Sequence, residues 1–356
     1  MPLDIEKLCV SPENSIQESL AQMDLNRTGI VLVVDSLNRL IGTVTDGDMR
    51  RAVLARFDLE GPITQVLTQK EGSTFEKPIT AAAGTDSRTL LETLRTHSIR
   101  HLPLVDEEER VVAMVTVDDF VPRQDLPVQP VIMAGGLGLR LRPLTDDVPK
   151  PMLPVGGRPL LESILEQLCD AGVNRINLIT NYKKEVISGH FGDGAGFGVD
   201  IQYVEEDQPL GTAGGLGLLE TSGKPLLVVN GDVFTKVDFR AMVDFHRDND
   251  AEMTVAVKEQ EFSLPFGVVE TDGLRITGIS EKPVIRYFIN AGIYLLDPEL
   301  CSRIPAGQPY DMTDLVALLI NEGRQVVSFP VHEYWRDIGQ AEDYRQAQED
   351  FRVVNS

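Results

Sequence analysis

The sequence predicts an α/β protein in which a mostly parallel sheet follows a smaller α+β module. From residue 131 onward, short apolar runs alternate with helical stretches, which is the pattern of strands connected by helices. Residues 1–121 instead contain a helix-and-strand unit that occurs twice. Between them, residues 122–130 are rich in proline and read as a stiff linker. We therefore expect one domain at 1–121 and a second at 131–356.

The composition limits the classes of partner. The chain has 356 residues, 42% of them hydrophobic, and a formal net charge of −22. This acidity argues against nucleic acid or an anionic membrane as a partner. The three cysteines lie far apart, no apolar run approaches membrane-spanning length, and the N-terminus lacks a signal-peptide pattern. These features predict a cytoplasmic protein.

The repeat becomes visible when the sequence is shifted by 71 positions. Residues 30–35 then fall on 101–106, and residues 42–45 fall on 113–116. Each copy, at about 1–60 and 70–121, reads as a helix, a strand, an acidic turn, a second strand and a T-x-x-D that opens a final helix. Units this small bury little apolar surface alone, so the two copies should pack together.

Both copies resemble CBS domains, a family that often binds adenosine nucleotides such as AMP, ADP or ATP. There the threonine of T-x-x-D tends to contact phosphate and the aspartate the ribose hydroxyls. The residues that this resemblance implies are Thr45 and Asp48 in copy one, and Thr116 and Asp119 in copy two. The same residue types are also ordinary helix N-caps, so that reading stays open. Arg50 and Arg51 directly follow Asp48, which favours copy one for charge contacts with phosphate.

A glycine-rich turn opens the second domain. It follows the apolar run at residues 131–134 and precedes Arg140 and Lys150. The glycines are Gly135, Gly136 and Gly138. Such a turn brings backbone N–H groups close to a ligand, and nearby cations suit a polyphosphate. No G-K-[ST] follows and position 141 is leucine, so neither the P-loop nor the dinucleotide fingerprint matches.

The stretch at 131–155 resembles the signature of sugar-1-phosphate nucleotidyltransferases, G-G-x-G-x-R-L-x-P-L-T followed by P-K-P. Leu139 stands where that family usually has threonine or serine. The resemblance implies a Rossmann-like domain that transfers a nucleotidyl group from an NTP to a hexose 1-phosphate, giving an NDP-sugar and pyrophosphate. Mannose-1-phosphate and glucosamine-1-phosphate guanylyltransferases are the most similar types. The resemblance further implies Mg²⁺ as cofactor and a homo-oligomer, either a dimer or a larger assembly.

Three consecutive acidic residues, 205–207, precede a segment that matches the family's P-L-G-T-A-G, which lies under the nucleotide base. Gly211 is the implied base contact in that segment. Guanine presents two adjacent donors, N1–H and N2–H₂, and one carboxylate can accept from both. Glu206 is therefore the candidate reader of guanine, with Glu205 as the second choice. A solvated acidic turn is the alternative reading.

Two later motifs match the family's sugar-binding segments. Residues 281–283 match E-K-P, and residues 290–294 match N-A-G-I-Y. The resemblance implies that Lys282 holds the sugar phosphate. The residues implied to contact the sugar itself are Glu281, Asn290 and Gly292.

Two aspartates complete the predicted site. Asp232 follows the apolar run at residues 226–229, and ligands of open α/β sheets bind at the carboxyl ends of strands. Asp337 lies in a match to W-x-D-I-G, whose aspartate is a second metal ligand in the family. Mg²⁺ prefers carboxylates together with substrate phosphates. We expect both aspartates to hold it, Arg140 to hold the triphosphate, and Lys150 to lie near the α-phosphate.

The sequence leaves several alternatives open. The base depends on one glutamate, so thymidylyl, uridylyl or cytidylyl transfer to a related sugar phosphate is also compatible. The sugar is undecided, and no histidine is expected to be catalytic because the attacking phosphate is already an anion. A different class of function is a nucleotide-sensing regulator that binds without turnover. The charged motif residues are all present, which favours the enzyme.

Overall fold

The computed structural model describes residues 5–120 and 125–354, with side chains described as far as residue 351. Its contacts divide the chain into two compact units, residues 1–125 and 126–356. Among the helices in the described ranges, none combines the length and the apolar content needed to cross a bilayer.

The first unit contains the same arrangement of strands twice. In each copy, a central strand pairs parallel with a short first strand and antiparallel with a third. The elements of copy one are β1 (Cys9–Val10), α1 (Ile16–Asn26), β2 (Ile30–Val34), β3 (Leu40–Thr45), α2 (Asp46–Leu54) and α3 (Thr64–Thr68). Those of copy two are β4 (Ala81–Ala82), α4 (Ser87–Thr96), β5 (His101–Val105) and β6 (Val111–Thr116). These two small mixed sheets confirm the predicted α+β module.

The helices of this unit begin where the sequence supplies capping residues. At the start of α1, the Ser15 hydroxyl and the Glu18 carboxylate each accept a bond from the other's backbone N–H. Thr45 begins α2 in the same way. The final helix expected in copy two is a short 3₁₀ turn, Val117–Asp119, within the described residues, and residues 121–124 lie outside them.

The two copies pack against each other. The backbone N–H of Leu40 donates to the carbonyl of Glu109 at 3.2 Å. One apolar cluster contains residues of both copies, for example Leu32 of copy one and Met114 of copy two. This shared core buries surface that a single copy would leave exposed, as expected for a small repeated unit.

The second unit is organised around a seven-stranded, mostly parallel sheet, which confirms the predicted α/β fold. The strands of this unit, including those of its smaller two-stranded sheets, are β7 (Gln129–Met133), β8 (Pro154–Val155), β9 (Arg158–Pro159), β10 (Arg175–Thr180), β11 (Asp200–Glu205), β12 (Leu226–Asn230), β13 (Val233–Thr235), β14 (Met253–Ser263), β15 (Val268–Asp272), β16 (Arg275–Ser280), β17 (Val284–Leu296), β18 (Val326–Pro330) and β19 (Trp335–Asp337). Its α-helices are α5 (Leu160–Asp170), α6 (Lys184–Phe191), α7 (Phe239–Asp248), α8 (Met312–Asn321) and α9 (Ala341–Val354). The main sheet has the order β11-β10-β7-β12-β17-β14-β18.

The central strands β7 and β12 lie side by side and parallel. Val131, Ile132 and residues 226–229 are excluded from solvent, as expected of strands covered on both faces. Asn230 pairs with Met133, so both strands end at the same edge of the sheet. The glycine turn and the segment that carries Asp232 therefore leave the sheet together.

The structure differs from the predicted linker at its C-terminal end. Leu126 and Val128 are buried in the second unit, and β7 already begins at Gln129. The Gln129 side chain donates to the carbonyl of Glu220 at 2.9 Å and accepts from the N–H of Ser222 at 2.7 Å. The prolines indicated a linker, but these apolar and polar contacts hold residues 126–130 in the domain. Residues 122–124 lie outside the described part of the chain.

Candidate active site

A short two-stranded ladder brings Asp232 and Asp337 together. β13 begins directly after Asp232, β19 ends at Asp337, and the two strands pair antiparallel with Val233 opposite Asp337. The indole N–H of Trp335 donates to the carbonyl of Ala291 at 2.8 Å, which ties β19 to strand β17 of the main sheet. Two residues that are distant in the sequence thereby form one acidic pair.

The ammonium of Lys150 lies against both carboxylates. Its Nζ is 2.5 Å from Oδ2 of Asp232 and 3.7 Å from Oδ1 of Asp337. Lys150 begins a 3₁₀ turn, Lys150–Met152, between two prolines that restrict the backbone, and it is only 8% exposed. The restricted backbone and the burial together hold the ammonium in one place.

The cluster of Asp232, Asp337 and Lys150 carries more negative than positive charge. Burial, and after it the charge of Asp232, raise the pKa of the Asp337 carboxyl, while Lys150 and Arg140 oppose this rise. Two carboxylates facing one ammonium leave an excess of negative charge and several hard oxygen donors. Mg²⁺ prefers this kind of ligand, so the residues fit a divalent cation.

Gly138 packs directly on the base of Lys150. Its φ is +62°, and a Cβ at this position would lie 3.0 Å from Cγ2 of Thr145 and 3.3 Å from Cβ of Lys150. The Thr145 hydroxyl donates to the Gly138 carbonyl at 2.8 Å and closes the turn. The turn leaves Gly136 and Arg140 exposed, in the stretch that leads to Lys150. Both backbone conformation and space therefore require glycine at 138.

Glu206 is buried next to the same glycine turn. A Cβ at Gly135 would lie 2.8 Å from its Oε2, and a Cβ at Gly215 would lie 2.6 Å from its Oε1. Oε1 is buried and accepts no hydrogen bond from any described residue, and burial raises the pKa of the Glu206 carboxyl. A buried acceptor without a donor is costly, so a ligand that supplies donors would be stabilised there. Glu205, in contrast, is exposed and pairs with Lys184 at 2.5 Å.

The segment around Gly211 is held by a residue that the sequence analysis missed. Gly211 has φ +79°, and a Cβ there would lie 2.7 Å from Oδ1 of Asp311. The same Asp311 carboxylate accepts from the Thr212 backbone N–H at 2.9 Å and lies 3.2 Å from its hydroxyl. Asp311 is the N-cap of α8 and forms a capping box with Asp314. The D-x-x-D before an apolar run was the signal that could have identified it as a structural anchor.

Asn290 and Gly292 lie beside the strand end that carries Asp232. The Asn290 amide donates to the Tyr294 hydroxyl at 2.8 Å and accepts from the Gly292 N–H at 2.9 Å. Gly292 has φ +70°, and a Cβ there would lie 2.7 Å from the amide nitrogen of Asn230. Since Asn230 is two residues before Asp232, the structure brings these two predicted sugar contacts close to the acidic pair.

Glu281 and Lys282 are placed differently from the other predicted site residues. Both are exposed and connect β16 to β17, and Lys282 has φ +46°. Its N–H donates to the Phe266 carbonyl at 3.3 Å. Across the described ranges, no hydrogen bond or ion pair joins either side chain to the acidic pair or to Lys150. The β15–β16 hairpin forms its own two-stranded sheet, and the turn joins it to β17, whose first residue Val284 pairs with Ser263 at the end of β14.

The T-x-x-D motifs of the first unit form capping boxes in both copies. In copy one, the backbone N–H and the hydroxyl of Thr45 each lie 2.8 Å from Oδ2 of Asp48. In copy two, the corresponding distances from Thr116 to Oδ2 of Asp119 are 2.6 and 3.0 Å. Arg50, which was expected to favour copy one for phosphate contacts, has a fully buried side chain that pairs with an aspartate on its own helix.

Two family models match the chain. The nucleotidyl transferase model matches residues 129–353, and the CBS domain model matches residues 4–55 and 74–123. These matches cover the sheet with its glycine turn and acidic pair, and the two repeated copies.

The chain is similar to proteins that are named for the transfer of different nucleotidyl groups. The chain is 38% identical over 228 residues to a mannose-1-phosphate guanylyltransferase of Mycobacterium tuberculosis, covering 61% of this chain and 62% of that protein. It is 35% identical over 238 residues to a UTP–glucose-1-phosphate uridylyltransferase of Synechocystis, covering 61% of each. The chain thus spans about three fifths of the length of these relatives.

A solved structure extends the comparison to the fold. HddC from Yersinia pseudotuberculosis, crystallised in complex with GMP-PN, is 28% identical, with a TM-score of 0.50, covering 63% of this chain and 99% of that chain. The match therefore includes nearly all of that chain. Because the transferase model covers more than half of the sequence, this chain belongs to the nucleotidyl transferase family, with two CBS domains ahead of its transferase domain.

Proposed function

We propose that this protein transfers a nucleotidyl group from an NTP, with GTP as the favoured donor, to a hexose 1-phosphate such as mannose 1-phosphate or glucosamine 1-phosphate. The products are an NDP-sugar and pyrophosphate. The observation that carries the proposal is the Lys150 ammonium held between Asp232 and Asp337, with Gly138 packed on that lysine. This places carboxylates, a fixed cation and a backbone turn together, as phosphate chemistry requires.

The reaction needs little covalent chemistry from the protein. A phosphate oxygen of the sugar phosphate attacks the α-phosphorus of the NTP in line, and the bond to pyrophosphate breaks. The nucleophile is already an anion, so no general base is required. Positioning and charge stabilisation therefore dominate. Arg140 would hold the triphosphate, Lys150 the α-phosphate, and Lys282 the sugar phosphate.

Asp232 and Asp337 are the residues that would hold Mg²⁺. When bound, a divalent cation neutralises charge on phosphate oxygens and orients them. The chain's own contribution is the fixed placement of the two carboxylates by the β13–β19 ladder and of Lys150 by its flanking prolines. Lys150 supplies a further positive charge beside that cation.

Three observations support guanine selection by Glu206. Its buried Oε1 accepts from no described residue, and a carboxylate can accept from guanine N1–H and N2–H₂ together. A guanylyltransferase is among the relatives, and HddC has been crystallised with GMP-PN. The uridylyltransferase relative supports the alternative, in which the chain transfers uridylyl instead.

The proposal for the first unit is that the CBS pair binds an adenosine nucleotide and regulates or dimerises the enzyme. Its support is the match of both copies to the CBS domain model and the paired T-x-x-D motifs.

The test is a grid of NTPs against sugar 1-phosphates, read as released pyrophosphate. GTP, UTP, dTTP, CTP and ATP are each combined with mannose 1-phosphate, glucosamine 1-phosphate and glucose 1-phosphate in the presence of Mg²⁺. We expect GTP with one of the first two sugars to give the fastest release. Pyrophosphate from none of the pairs would contradict the enzyme and support a regulator that only binds.

A further inference from the structure

In copy one, the ammonium of a lysine lies against Asp48, the aspartate that is expected to bind the ribose of a nucleotide. Lys70 follows α3, and its Nζ lies 2.6 Å from Oδ2 of Asp48 and 2.8 Å from the carbonyl of Thr43 in β3. The Lys70 side chain is only 12% exposed. The ammonium is therefore fixed by two acceptors inside copy one.

The Asp48 carboxylate has almost no acceptor capacity left. Besides Lys70, its Oδ2 meets the backbone N–H and the hydroxyl of Thr45, each at 2.8 Å. Its Oδ1 accepts from the guanidinium of Arg51 at 2.7 Å. Two carboxylate oxygens offer about four acceptor sites, and four donors already contact them, three at Oδ2 and one at Oδ1. Two ribose hydroxyls together would have to displace at least one existing donor.

Copy two has the same motif without these cations. Oδ2 of Asp119 meets the backbone N–H and the hydroxyl of Thr116, as in copy one. The Asp119 side chain is exposed, and no lysine or arginine in the part of the chain that the structure describes pairs with it. Its second oxygen is therefore open to ribose hydroxyls. The two copies differ at the aspartate in charge and access, while the local backbone geometry is alike.

We propose that Lys70 closes the copy-one site as an internal cation, so that each chain binds one adenosine nucleotide, at copy two. This inference rests on the proposed nucleotide binding by the CBS pair. A nucleotide entering copy one would have to remove a shielded ammonium from its carboxylate and leave both groups to find new partners. Copy two imposes no such requirement.

The test is the stoichiometry of AMP binding to the full chain, measured by titration calorimetry. We expect about one AMP per chain for the unchanged protein, none for Asp119→Asn, and two for Lys70→Met. Lys77→Met is the matched control, because Lys77 is an exposed lysine in the same connecting segment, and it should leave the value at one. Lys70→Gln serves as a second variant if Lys70→Met does not fold.

Several results would overturn the inference. Two AMP molecules on the unchanged chain, or an unchanged value in both Lys70 variants, would show that Lys70 does not close copy one, although nucleotide binding would stand. Loss of all AMP binding in the Lys70 variants would make Lys70 a ligand contact. If AMP, ADP and ATP fail to bind any form, nucleotide binding by the CBS pair falls and the inference with it. Pyrophosphate release tests the transferase separately.

Discussion

A lysine lies on an aspartate at one place in each of the two units. In the transferase unit, Lys150 is 2.5 Å from Asp232, and in CBS copy one, Lys70 is 2.6 Å from Asp48. The lysine side chains are 10% and 12% exposed. Taken as isolated ion pairs, the two contacts are nearly the same.

The surroundings of the two pairs differ. Asp337 adds a second carboxylate beside Lys150, so that pair keeps an excess of negative charge. Arg51 adds a second cation beside Asp48, so that pair has an excess of positive charge. The first arrangement still attracts a cation and phosphates carried with it, whereas the second has little acceptor capacity left. The charge around an ion pair, rather than the pair itself, indicates whether a ligand can enter.

The largest expected effect comes from removing the excess charge of the transferase site. Asp232→Asn leaves one carboxylate for Lys150, so the excess of negative charge beside the lysine is removed. We expect turnover to fall about a thousandfold, at the upper end for the loss of one electrostatic stabiliser. Pyrophosphate release at saturating GTP, sugar phosphate and Mg²⁺ measures it. Asp272→Asn, an exposed aspartate on β15, is the control, and full turnover in Asp232→Asn would refute the site.

Removing the lysine changes the charge in the opposite direction. Lys150→Met leaves two carboxylates without a cation, and we expect a fall in kcat/KM of about a hundredfold. We also expect Mg²⁺ to raise the melting temperature of this variant more than that of the unchanged protein, because the ion alone then balances the two carboxylates. Lys224→Met replaces an exposed lysine and serves as the control. An equal Mg²⁺ effect on both proteins would contradict this account of the charge.

Glu206 extends the comparison to a buried carboxylate with no cation pair among the described residues. Glu206→Gln replaces one of the two acceptor oxygens of the carboxylate by an NH₂ group. That group would face a hydrogen-bond donor of guanine. We expect kcat/KM for GTP to fall about ten- to a hundredfold, since an unsatisfied buried group costs about 1–3 kcal/mol. The kcat/KM for UTP and dTTP should fall less than that for GTP. Glu205→Gln should leave the kcat/KM for every nucleotide unchanged. A uniform loss across donors would mean that Glu206 does not read the base.

The smallest effect concerns a difference between the two CBS copies. His101 of copy two corresponds to Ile30 of copy one, and burial lowers the pKa of the His101 imidazole from 6.5 to about 4. Below pH 6.5 the unfolded chain takes up a proton that the folded chain does not, so the stability contribution is lost as pH falls towards 4. This amounts to up to about 2 kcal/mol at pH 5.

His101→Ile should remove that acid sensitivity. We expect the loss of unfolding free energy between pH 7 and pH 5 to be smaller in the variant, as followed by urea unfolding. His97→Gln, at an exposed histidine of the same copy, should behave like the unchanged protein. An equal pH dependence in all three proteins would exclude His101 as its source.

Much of the fold and part of the candidate site could be predicted from the sequence. The repeat, the alternation from residue 131 and the glycine turn were all visible, because periodicity and turn chemistry are local properties. Local patterns also found the capping threonines of both copies, but they could not distinguish the copies, since the T-x-x-D motif is present in each. The role of Asp311 under Gly211 was missed for a related reason, because a capping signal does not say which distant loop it supports.

Only the tertiary structure decided which charges meet. The ladder that sets Val233 opposite Asp337 and the turn that points Lys70 at Asp48 join residues with no common period in the sequence. Burial likewise assigned residues 126–130 to the second unit, where prolines alone indicated a linker. The sequence by itself determined the strands, the repeat and the order of the motifs. Electrostatic and packing contacts depend on distance in space, so the neighbours of each carboxylate emerged only when the chain was folded.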